Sequence, residues 1–206
     1  ITSEGRVFTW GNNYYGQLGD GTTTYRHIPR DITSLLNLNL GETVIQVSSG
    51  WYNSTVLTSE GRIFTWGINE YGELGDGTTT NSNIPIDITS QFNLNSEETI
   101  IQVSLGGRHS LVITSNERIF AWGSNSNGQL GDGTQIGPIS TPGQVDGLGI
   151  GSGVVSISAN ADNACALTSL GVLSCWGVNI DGEVGQGNKV TPVKSPAVAS
   201  ILSSDH

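Results

Sequence analysis

Short apolar runs alternate with polar, glycine-rich stretches along the whole chain. In one representative stretch we predict strands at Val44–Ser48, Ser54–Thr58, Arg62–Trp66 and Ile84–Ile88. Only Ser59-Glu60-Gly61 separates the second run from the third, and so short a connection predicts a hairpin. The 29 glycines of the chain likewise favour short strands and tight turns over helices. Each such stretch therefore predicts one small antiparallel sheet of four strands.

This four-strand pattern recurs with a nearly fixed period. Four tryptophans, each followed by glycine, lie 56, 56 and 54 residues apart. Residues 2–57 match residues 58–113 at 37 of 56 positions, which indicates a duplication. Because these tryptophans recur at the same place on the same predicted strand, we interpret them as core residues, together with a leucine that follows each of the first three. The predicted core residues of the repeat are Trp10, Trp66, Trp122, Trp176, Leu18, Leu74 and Leu130.

A sheet that is apolar on both faces must pack against neighbours, and stacking such sheets around an axis produces a β-propeller. The sequence therefore predicts an all-β fold, a partial β-propeller of four-stranded antiparallel blades that forms a single domain. We assign residues 1–32 to the outer half of a blade, residues 33–88, 89–145 and 146–196 to three whole blades, and residues 197–206, with a strand near Val198–Leu202, to the start of another.

The predicted assembly is an open arc of about 3.5 to 4 blades. The chain begins inside a repeat and not at a methionine, so we expect it to be part of a longer protein. The two outermost blade faces of an open arc would expose more apolar surface than soluble monomers usually tolerate. We therefore expect further blades or a second chain to close the ring.

The order of motifs within each period resembles a known repeat family. Gly106, followed by His109, precedes an apolar strand, and a block such as GRIFTWGINEYGELGDG from Gly61 then completes the pattern. This order resembles the regulator-of-chromosome-condensation repeat over nearly the whole chain. The resemblance implies a propeller that closes with about seven blades. The motif histidine is present only as His109, since Asn53 and Asn163 replace it in other copies.

The charge balance narrows the choice of partner. Eighteen acidic and eight basic residues give a formal net charge of −10, and both lysines lie near the C-terminus. Nucleic acid is therefore not an expected partner, because phosphate binding needs clustered Lys and Arg. A protein with a basic surface fits better, although acidic charge also serves simply to keep a surface soluble. No apolar stretch approaches the roughly 20 residues that span a bilayer, so this segment predicts no membrane insertion.

Residues for catalysis or metal binding do not form a recognisable group. His27, His109 and His206 lie far apart in sequence, and none is beside paired carboxylates or a cysteine. Each Leu-Gly-Asp-Gly block supplies one carboxylate, fewer than calcium takes, so we interpret these aspartates as turn braces. The glycine runs lack the lysine of a phosphate-binding loop. We predict no enzyme, no metal and no cofactor.

The only cysteines are Cys165 and Cys175, on the two arms of the fourth predicted hairpin. Counting outward from Leu170 in the turn places them directly opposite one another, within reach of a disulfide. A disulfide would imply an oxidising compartment, and the family resemblance implies a bacterial surface or secreted location. Two buried free thiols are the alternative interpretation.

The candidate binding residues lie in the loops that differ most between otherwise similar copies. These loops are Gly50 to Asn53, Gly106 to His109 and Asn160 to Asn163. Tryptophan, tyrosine and arginine are the residue types that most often anchor interfaces. The alternatives are that Trp51 and Tyr52 merely cap the blade end and that His109 bonds a neighbouring blade. The predicted binding residues are Trp51, Tyr52, Arg108, His109 and Asp162.

Together these features predict a non-enzymatic scaffold that binds another protein through its rim loops, outside the cell or on its surface. The family resemblance implies a second possibility, a nucleotide-exchange regulator of a small GTPase, although no residue can be assigned to that role. A secreted enzyme inhibitor and a carbohydrate-binding propeller are further alternatives.

Overall fold

The structure, a computed structural model, describes residues 1–200 and is built from one two-stranded and three four-stranded antiparallel sheets. This confirms the predicted fold class. The four sheets follow one another along the chain, and each whole sheet has its four strands in sequence order. The strands are β1 Phe8–Gly11, β2 Arg26–Asp31, β3 Val44–Ser49, β4 Asn53–Thr58, β5 Ile63–Gly67, β6 Ser82–Asp87, β7 Ile100–Leu105, β8 His109–Thr114, β9 Ile119–Gly123, β10 Ile139–Gln144, β11 Val154–Asn160, β12 Asn163–Thr168, β13 Leu173–Gly177 and β14 Val193–Val198.

The four-stranded sheets correspond to the three whole blades, and β1 with β2 forms the outer half of a blade that precedes them. Two short 3₁₀ helices, Thr33–Leu36 and Thr89–Phe92, lie in the connections between blades. The last strand, β14, extends to Val198, so Val198 belongs to the third whole blade and does not open another. Of the rest of the predicted strand near Val198–Leu202, residues 199–200 are not in a strand, and residues 201–202 lie outside the described residues.

The glycine after each of the tryptophans Trp66, Trp122 and Trp176 has a clear structural reason. Gly67 ends β5 with φ +108°, a conformation that side chains rarely adopt. A β-carbon there would lie 2.3 Å from the Tyr52 carbonyl oxygen. Gly123 and Gly177 repeat the same geometry in the next two blades. The Trp-Gly pair is therefore required where the third strand of a blade passes close to the loop before the second strand.

Successive blades share a core in which a tryptophan is the central residue. Trp66, Trp122 and Trp176 are essentially inaccessible to solvent. Each indole N–H donates a hydrogen bond to a carbonyl oxygen of the preceding blade, at 2.8 to 3.0 Å. The leucines predicted as core are also buried. The carbonyl oxygens that accept these three bonds belong to Gln17, Glu73 and Gln129.

Trp10 does not share this environment, so the prediction that all four tryptophans are buried is wrong for this residue. Its side chain is 59% exposed. The three buried tryptophans are covered by the blade that precedes each of them, and no described residue precedes the half blade that carries Trp10. Burial at this position therefore depends on a neighbouring blade, not on the motif alone.

Side chains on the innermost strands fasten each blade to the next. The Gln46 amide donates to the Val103 carbonyl at 2.8 Å and accepts from the Val103 N–H at 3.0 Å. Gln102 forms the same pair of bonds with Ile157 of the following blade. Two residues later, the Ser48 hydroxyl accepts from the Leu105 N–H at 3.1 Å. We call this arrangement, which Ser104 repeats at Ala159, the Gln-x-Ser latch.

Candidate protein-interaction rim

Antiparallel strands place two classes of loop at the same end of the arc. One class joins the first and second strands of each blade, at residues 50–52, 106–108 and 161–162. The other joins the third and fourth strands, at residues 12–25, 68–81, 124–138 and 178–192. We call this end the loop rim. All the predicted binding residues except His109 lie in these loops, and His109 begins β8 directly after one of them.

The long glycine-rich loops are held rigid by a buried asparagine. The Asn69 amide donates to the carbonyl oxygens of Thr78 and Thr80, and its Oδ1 accepts from the Leu74 N–H at 2.9 Å. Asp76 braces the same loop by accepting bonds from the Thr78 N–H and hydroxyl. Equivalent asparagines organise the other three loops. The rim loops are thus a fixed platform for exposed side chains.

This bonding supports the interpretation of the aspartates as turn braces. Asp20 and Asp132 accept the same pair of bonds from Thr22 and Thr134. Within residues 1–200 there is no group of three His, Cys, Asp or Glu side chains placed to hold a metal ion.

Aromatic side chains and one arginine from three successive blades meet on the loop rim. The Arg108 guanidinium carbon lies 4.6 Å from the Tyr71 ring centroid and 5.7 Å from that of Trp51. Such contacts are favourable cation–π arrangements. The Tyr52 ring lies 5.1 Å from that of Tyr15, which in turn contacts its neighbour on the chain. We call this group, Tyr14, Tyr15, Trp51, Tyr52, Tyr71 and Arg108, the aromatic patch.

Trp51 is fixed on one face and open on the other. A β-carbon at Gly107 would lie 2.7 Å from the indole, so the ring lies directly against this glycine of the next blade. The main-chain N–H of Trp51 also donates a hydrogen bond to the Gly107 carbonyl oxygen, at 3.3 Å. Despite these contacts, 54% of the side chain is exposed. A rigid indole with one free face can serve as an anchor at low entropic cost.

A buried carboxylate lies beneath the aromatic patch. Glu73 is inaccessible to solvent, and burial raises the pKa of its carboxyl group, an effect that the nearby positive charge of Arg108 partly offsets. One carboxylate oxygen accepts from the Tyr71 N–H at 2.7 Å, and the other has no partner among the described residues. Glu73 is not predictable from the repeat motif, because the equivalent residue is a glutamine in the first and third copies.

The side chain at the position of Glu73 lies close to the loop between the first and second strands of the following blade. One blade further on, the Gln129 amide donates to the Asp162 carboxylate at 3.1 Å. Asp162 and Arg108 occupy equivalent positions, so a glutamine faces the acidic loop and a glutamate faces the basic one. Asp162, predicted as a binding residue, is half-buried and takes part in this contact between blades. Its carboxylate therefore helps to join two blades.

His109, also predicted as a binding residue, is fully buried and cannot contact a partner at the surface. Its ring packs against Gly106, where a β-carbon would lie 2.2 Å from the imidazole. Burial lowers the pKa of His109 to about 4, and nearby main-chain groups of Asn163 and Ala161 offset this only in part. The imidazole is consequently neutral at pH 7 and belongs to the seam between two blades.

On the opposite rim, formed by the hairpin turns and the connections between blades, the arginines Arg6, Arg62 and Arg118 are paired with carboxylates. Arg118 donates to both oxygens of Glu98, which keeps the pKa of that buried carboxyl below its usual value. Arg62 bonds both Glu42 and Asp87. Arg108 on the loop rim, by contrast, forms no ion pair with any described residue. The loop rim is therefore the end with polar and aromatic groups available to a partner.

Cys165 and Cys175 are directly opposite one another on β12 and β13, and their sulfur atoms are bonded. Their Cα atoms lie 4.1 Å apart. The pairing expected from counting outward along the hairpin is confirmed. The disulfide joins the second and third strands of the last whole blade.

We expect reduction of this disulfide to lower the free energy of unfolding by about 2 to 3 kcal/mol, because it releases a closed loop of roughly ten residues in the unfolded chain. Urea unfolding with and without a reductant measures the change. The double variant Cys165→Ser/Cys175→Ser is the control and should not respond to the reductant. Equal stability of oxidised and reduced wild-type protein would contradict this prediction.

Comparison with known proteins agrees with this architecture. The family model described as the regulator of chromosome condensation (RCC1) repeat matches residues 4–57, 60–113 and 116–167. A second model of the same repeat matches residues 44–73 and 100–129. No helix among residues 1–200 is long and apolar enough to cross a membrane.

Two relatives illustrate the range of proteins that contain similar sequence. The human E3 ubiquitin-protein ligase HERC2 is 32% identical over 203 residues, which are 98% of this chain and 4% of HERC2. The ultraviolet-B receptor UVR8 of Arabidopsis thaliana is 35% identical over 136 residues, 66% of this chain and 29% of UVR8. This chain thus spans only a small part of either relative.

Solved propellers share the fold. Prp20p of Saccharomyces cerevisiae superimposes with a TM-score of 0.82 at 24% identity, over 99% of this chain and 48% of Prp20p. Human WBSCR16 superimposes with a TM-score of 0.77 at 23% identity, over 96% of this chain and 48% of its own. The matched repeats cover most of the sequence, and the chain therefore belongs to the regulator of chromosome condensation (RCC1) repeat family.

Proposed function

We propose that this chain is a non-enzymatic scaffold that binds another protein through its loop rim, with the aromatic patch as the central contact. The observation that carries the proposal is the exposed Trp51 indole, held against Gly107 and flanked by the Arg108 guanidinium. Exposed tryptophan, tyrosine and arginine on a rigid platform are the usual composition of a binding hot spot. The structure of Prp20p was described together with its binding to Gsp1p and histones, which supports a protein partner for this fold.

The partner should combine an apolar side chain with basic groups. The apolar part would cover the free face of the Trp51 indole. The basic part would complement the chain's net charge of −10, to which the rim contributes Glu70, Asp181 and Glu183. Charge complementarity of this kind mainly accelerates association and excludes acidic competitors.

We expect the double variant Trp51→Ala/Arg108→Ala to weaken partner binding by about 30-fold or more, since truncation of even one central hot-spot residue costs about 2 kcal/mol or more. The measurement has two stages. Immobilised protein captures partners from extract of the source organism, and calorimetry with each purified partner then gives the affinities.

The matched control is Leu40→Ala, which removes a fully exposed apolar side chain from the opposite rim. A partner that binds wild-type and Leu40→Ala protein equally but loses affinity for the double variant supports the proposal. Partners that bind all three proteins equally would place the interaction elsewhere and contradict it. Circular dichroism of each protein verifies that the blades remain folded.

We also propose that the protein works outside the cell or on its surface. The Cys165–Cys175 disulfide supports this location, because structural disulfides persist mainly in oxidising compartments. Alkylation of intact cells before lysis tests the proposal. Protein in which both cysteines escape alkylation until a reductant is added supports an oxidising location, whereas prompt alkylation of both contradicts it.

A further inference from the structure

Arginines that lie over aromatic rings on the opposite rim are also paired with carboxylates. In the half blade and the first two whole blades, an arginine lies over the phenylalanine two residues after it, with the guanidinium carbon 4.7 to 5.0 Å from the ring centroid. Each of these guanidiniums forms an ion pair as well. The groups are Arg6, Phe8 and Asp31; Arg62, Phe64 and Asp87; and Arg118, Phe120 and Glu98.

Arg108 on the loop rim has the aromatic half of this arrangement without the carboxylate. Its guanidinium contacts two rings, those of Tyr71 and Trp51. Among the arginines of residues 1–200, Arg108 alone contacts an aromatic ring and has no carboxylate as an ion-pair partner. The repeated arrangement of ring, guanidinium and carboxylate is therefore incomplete at this one place.

The buried carboxylate of Glu73 does not complete it. One blade further on, the short Asp162 side chain reaches the residue equivalent to Glu73. The longer Arg108 side chain instead extends past Glu73 to the two rings, and it acts on the Glu73 carboxyl only through its nearby charge. Glu73 is inaccessible to solvent, whereas Arg108 is only half-buried. The guanidinium N–H donors are therefore free to bind a group from outside the chain.

A guanidinium held by stacking is well prepared to bind a carboxylate. Its planar fork of N–H donors matches the two carboxylate oxygens and forms two parallel hydrogen bonds with them. Contact with two rings also restricts the side chain before a ligand arrives, so less conformational entropy is lost on binding. The Trp51 ring centroid lies 5.7 Å from the Arg108 guanidinium carbon, so one peptide segment can contact both.

We propose that Arg108 binds a carboxylate of the protein partner, beside the apolar side chain that covers the free face of Trp51. This inference rests on the proposed function and adds the chemistry of one contact. An aspartate or glutamate side chain and a peptide C-terminus supply the same group. A single carboxylate within an otherwise basic segment also fits the acidic rim, because Glu70, beside Tyr71, attracts the flanking basic groups.

Short random peptides displayed on phage test the proposal against the full chain. One library leaves the peptide C-terminus free, and the other is fused through it, which separates a terminal carboxylate from a side-chain carboxylate. We expect the wild-type chain to select apolar peptides with either an acidic residue at a constant distance from the apolar one or a free C-terminus. Arg108→Gln should select apolar peptides without this requirement. Arg30→Gln, which removes an exposed arginine of β2, is the matched control and should select as wild type does.

Synthetic forms of a selected peptide measure the contact directly. Converting its carboxylate to the amide should weaken binding to the wild-type chain by about tenfold or more, because a charge-assisted hydrogen-bonded pair is lost. The same conversion should leave the affinity for Arg108→Gln unchanged, since the carboxylate and Arg108 would then be coupled only to one another. Fluorescence anisotropy gives the four affinities, and circular dichroism verifies that each variant is folded.

The outcomes separate this contact from the proposed function. Selected peptides that lose affinity for Trp51→Ala but bind equally as acid and as amide would overturn this inference and leave the proposed function in place. A carboxylate requirement that persists in Arg108→Gln would also overturn it, because another group would then bind the carboxylate. If the wild-type chain selects no peptide, or none that depends on Trp51 or Arg108, both this inference and the proposed function fail.

Discussion

Replacing Trp122 with alanine is expected to lower the free energy of unfolding by about 3 to 5 kcal/mol. The side chain is completely buried between two blades and packs edge-on against Phe92, with ring centroids 5.6 Å apart. Its removal would leave a large cavity at the seam. It would also remove the indole N–H from which the buried main-chain carbonyl oxygen of Glu73 accepts a hydrogen bond.

Trp10 supplies a matched control within the same motif. Trp10→Ala removes the same side chain from the equivalent strand, but because 59% of that side chain is exposed we expect a loss of only about 0.5 kcal/mol. Urea unfolding followed by far-ultraviolet circular dichroism measures both variants. Equal losses for Trp10→Ala and Trp122→Ala would show that the two sites are packed alike, contrary to this structure.

The contrast between these tryptophans shows what the sequence could predict. The repeat period and the apolar runs identified the strands, because each strand is short, apolar and bounded by glycine. The same repeat pattern predicts that all four copies are equivalent. Burial at a seam, however, depends on what lies next to a repeat, and among the described residues the half blade has a neighbouring blade on one side only. Trp10 was therefore misjudged although its motif was read correctly.

The disulfide was predictable for a related reason. Once the turn near Leu170 is located, an antiparallel hairpin determines which residues lie opposite one another. Cys165 and Cys175 needed no information from any other part of the chain. Local geometry was sufficient.

The composition of the aromatic patch could be predicted only in part. Trp51, Tyr52 and Arg108 were found because they lie in loops that vary between copies. Tyr14, Tyr15 and Tyr71 were not predicted, because they lie in the glycine-rich loops, whose repeated sequence indicates a structural role. They reach the patch only because loops of different blades converge at one rim. This convergence is a property of the folded arc, and no sequence interval reveals it.

The seam beneath the patch did leave a signal in the sequence. Residue 73 faces residue 108, and residue 129 faces residue 162. The two members of each pair are 35 and 33 residues apart in sequence, so each contact joins one blade to the next. From one seam to the next, both members of the pair change. Glutamate faces arginine at the first seam, and glutamine faces aspartate at the second. Aligning each repeat with its successor, instead of with itself, would have revealed this pairing.

His109 was assigned to the rim because its loop varies between copies, yet it belongs to a seam that should make the fold sensitive to acid. Its pKa is about 4 in the folded protein and about 6.5 in an unfolded chain. Between these values the unfolded state binds more protons, so stability rises with pH. The stabilisation that the neutral His109 contributes to folding is complete above about pH 6.5 and is lost as the pH falls towards 4. Its full size is about 3 kcal/mol, since each pKa unit corresponds to roughly 1.4 kcal/mol.

We therefore expect wild-type protein to lose up to about 3 kcal/mol more stability than the variant His109→Asn when the pH falls from 7.5 to 4. Asparagine is a suitable replacement because Asn53 and Asn163 occupy the same position in the adjacent blades. Carboxylates such as Asp31, whose pKa is lowered to about 2 by bonds from Thr33 and by Arg6, titrate alike in both proteins and cancel in the difference. Urea unfolding across this pH range supplies the two curves. Curves that stay parallel would contradict this prediction, because they would mean that the imidazole is already solvated in the folded protein. The seam between the second and third whole blades would then be more open than the packing of His109 against Gly106 indicates.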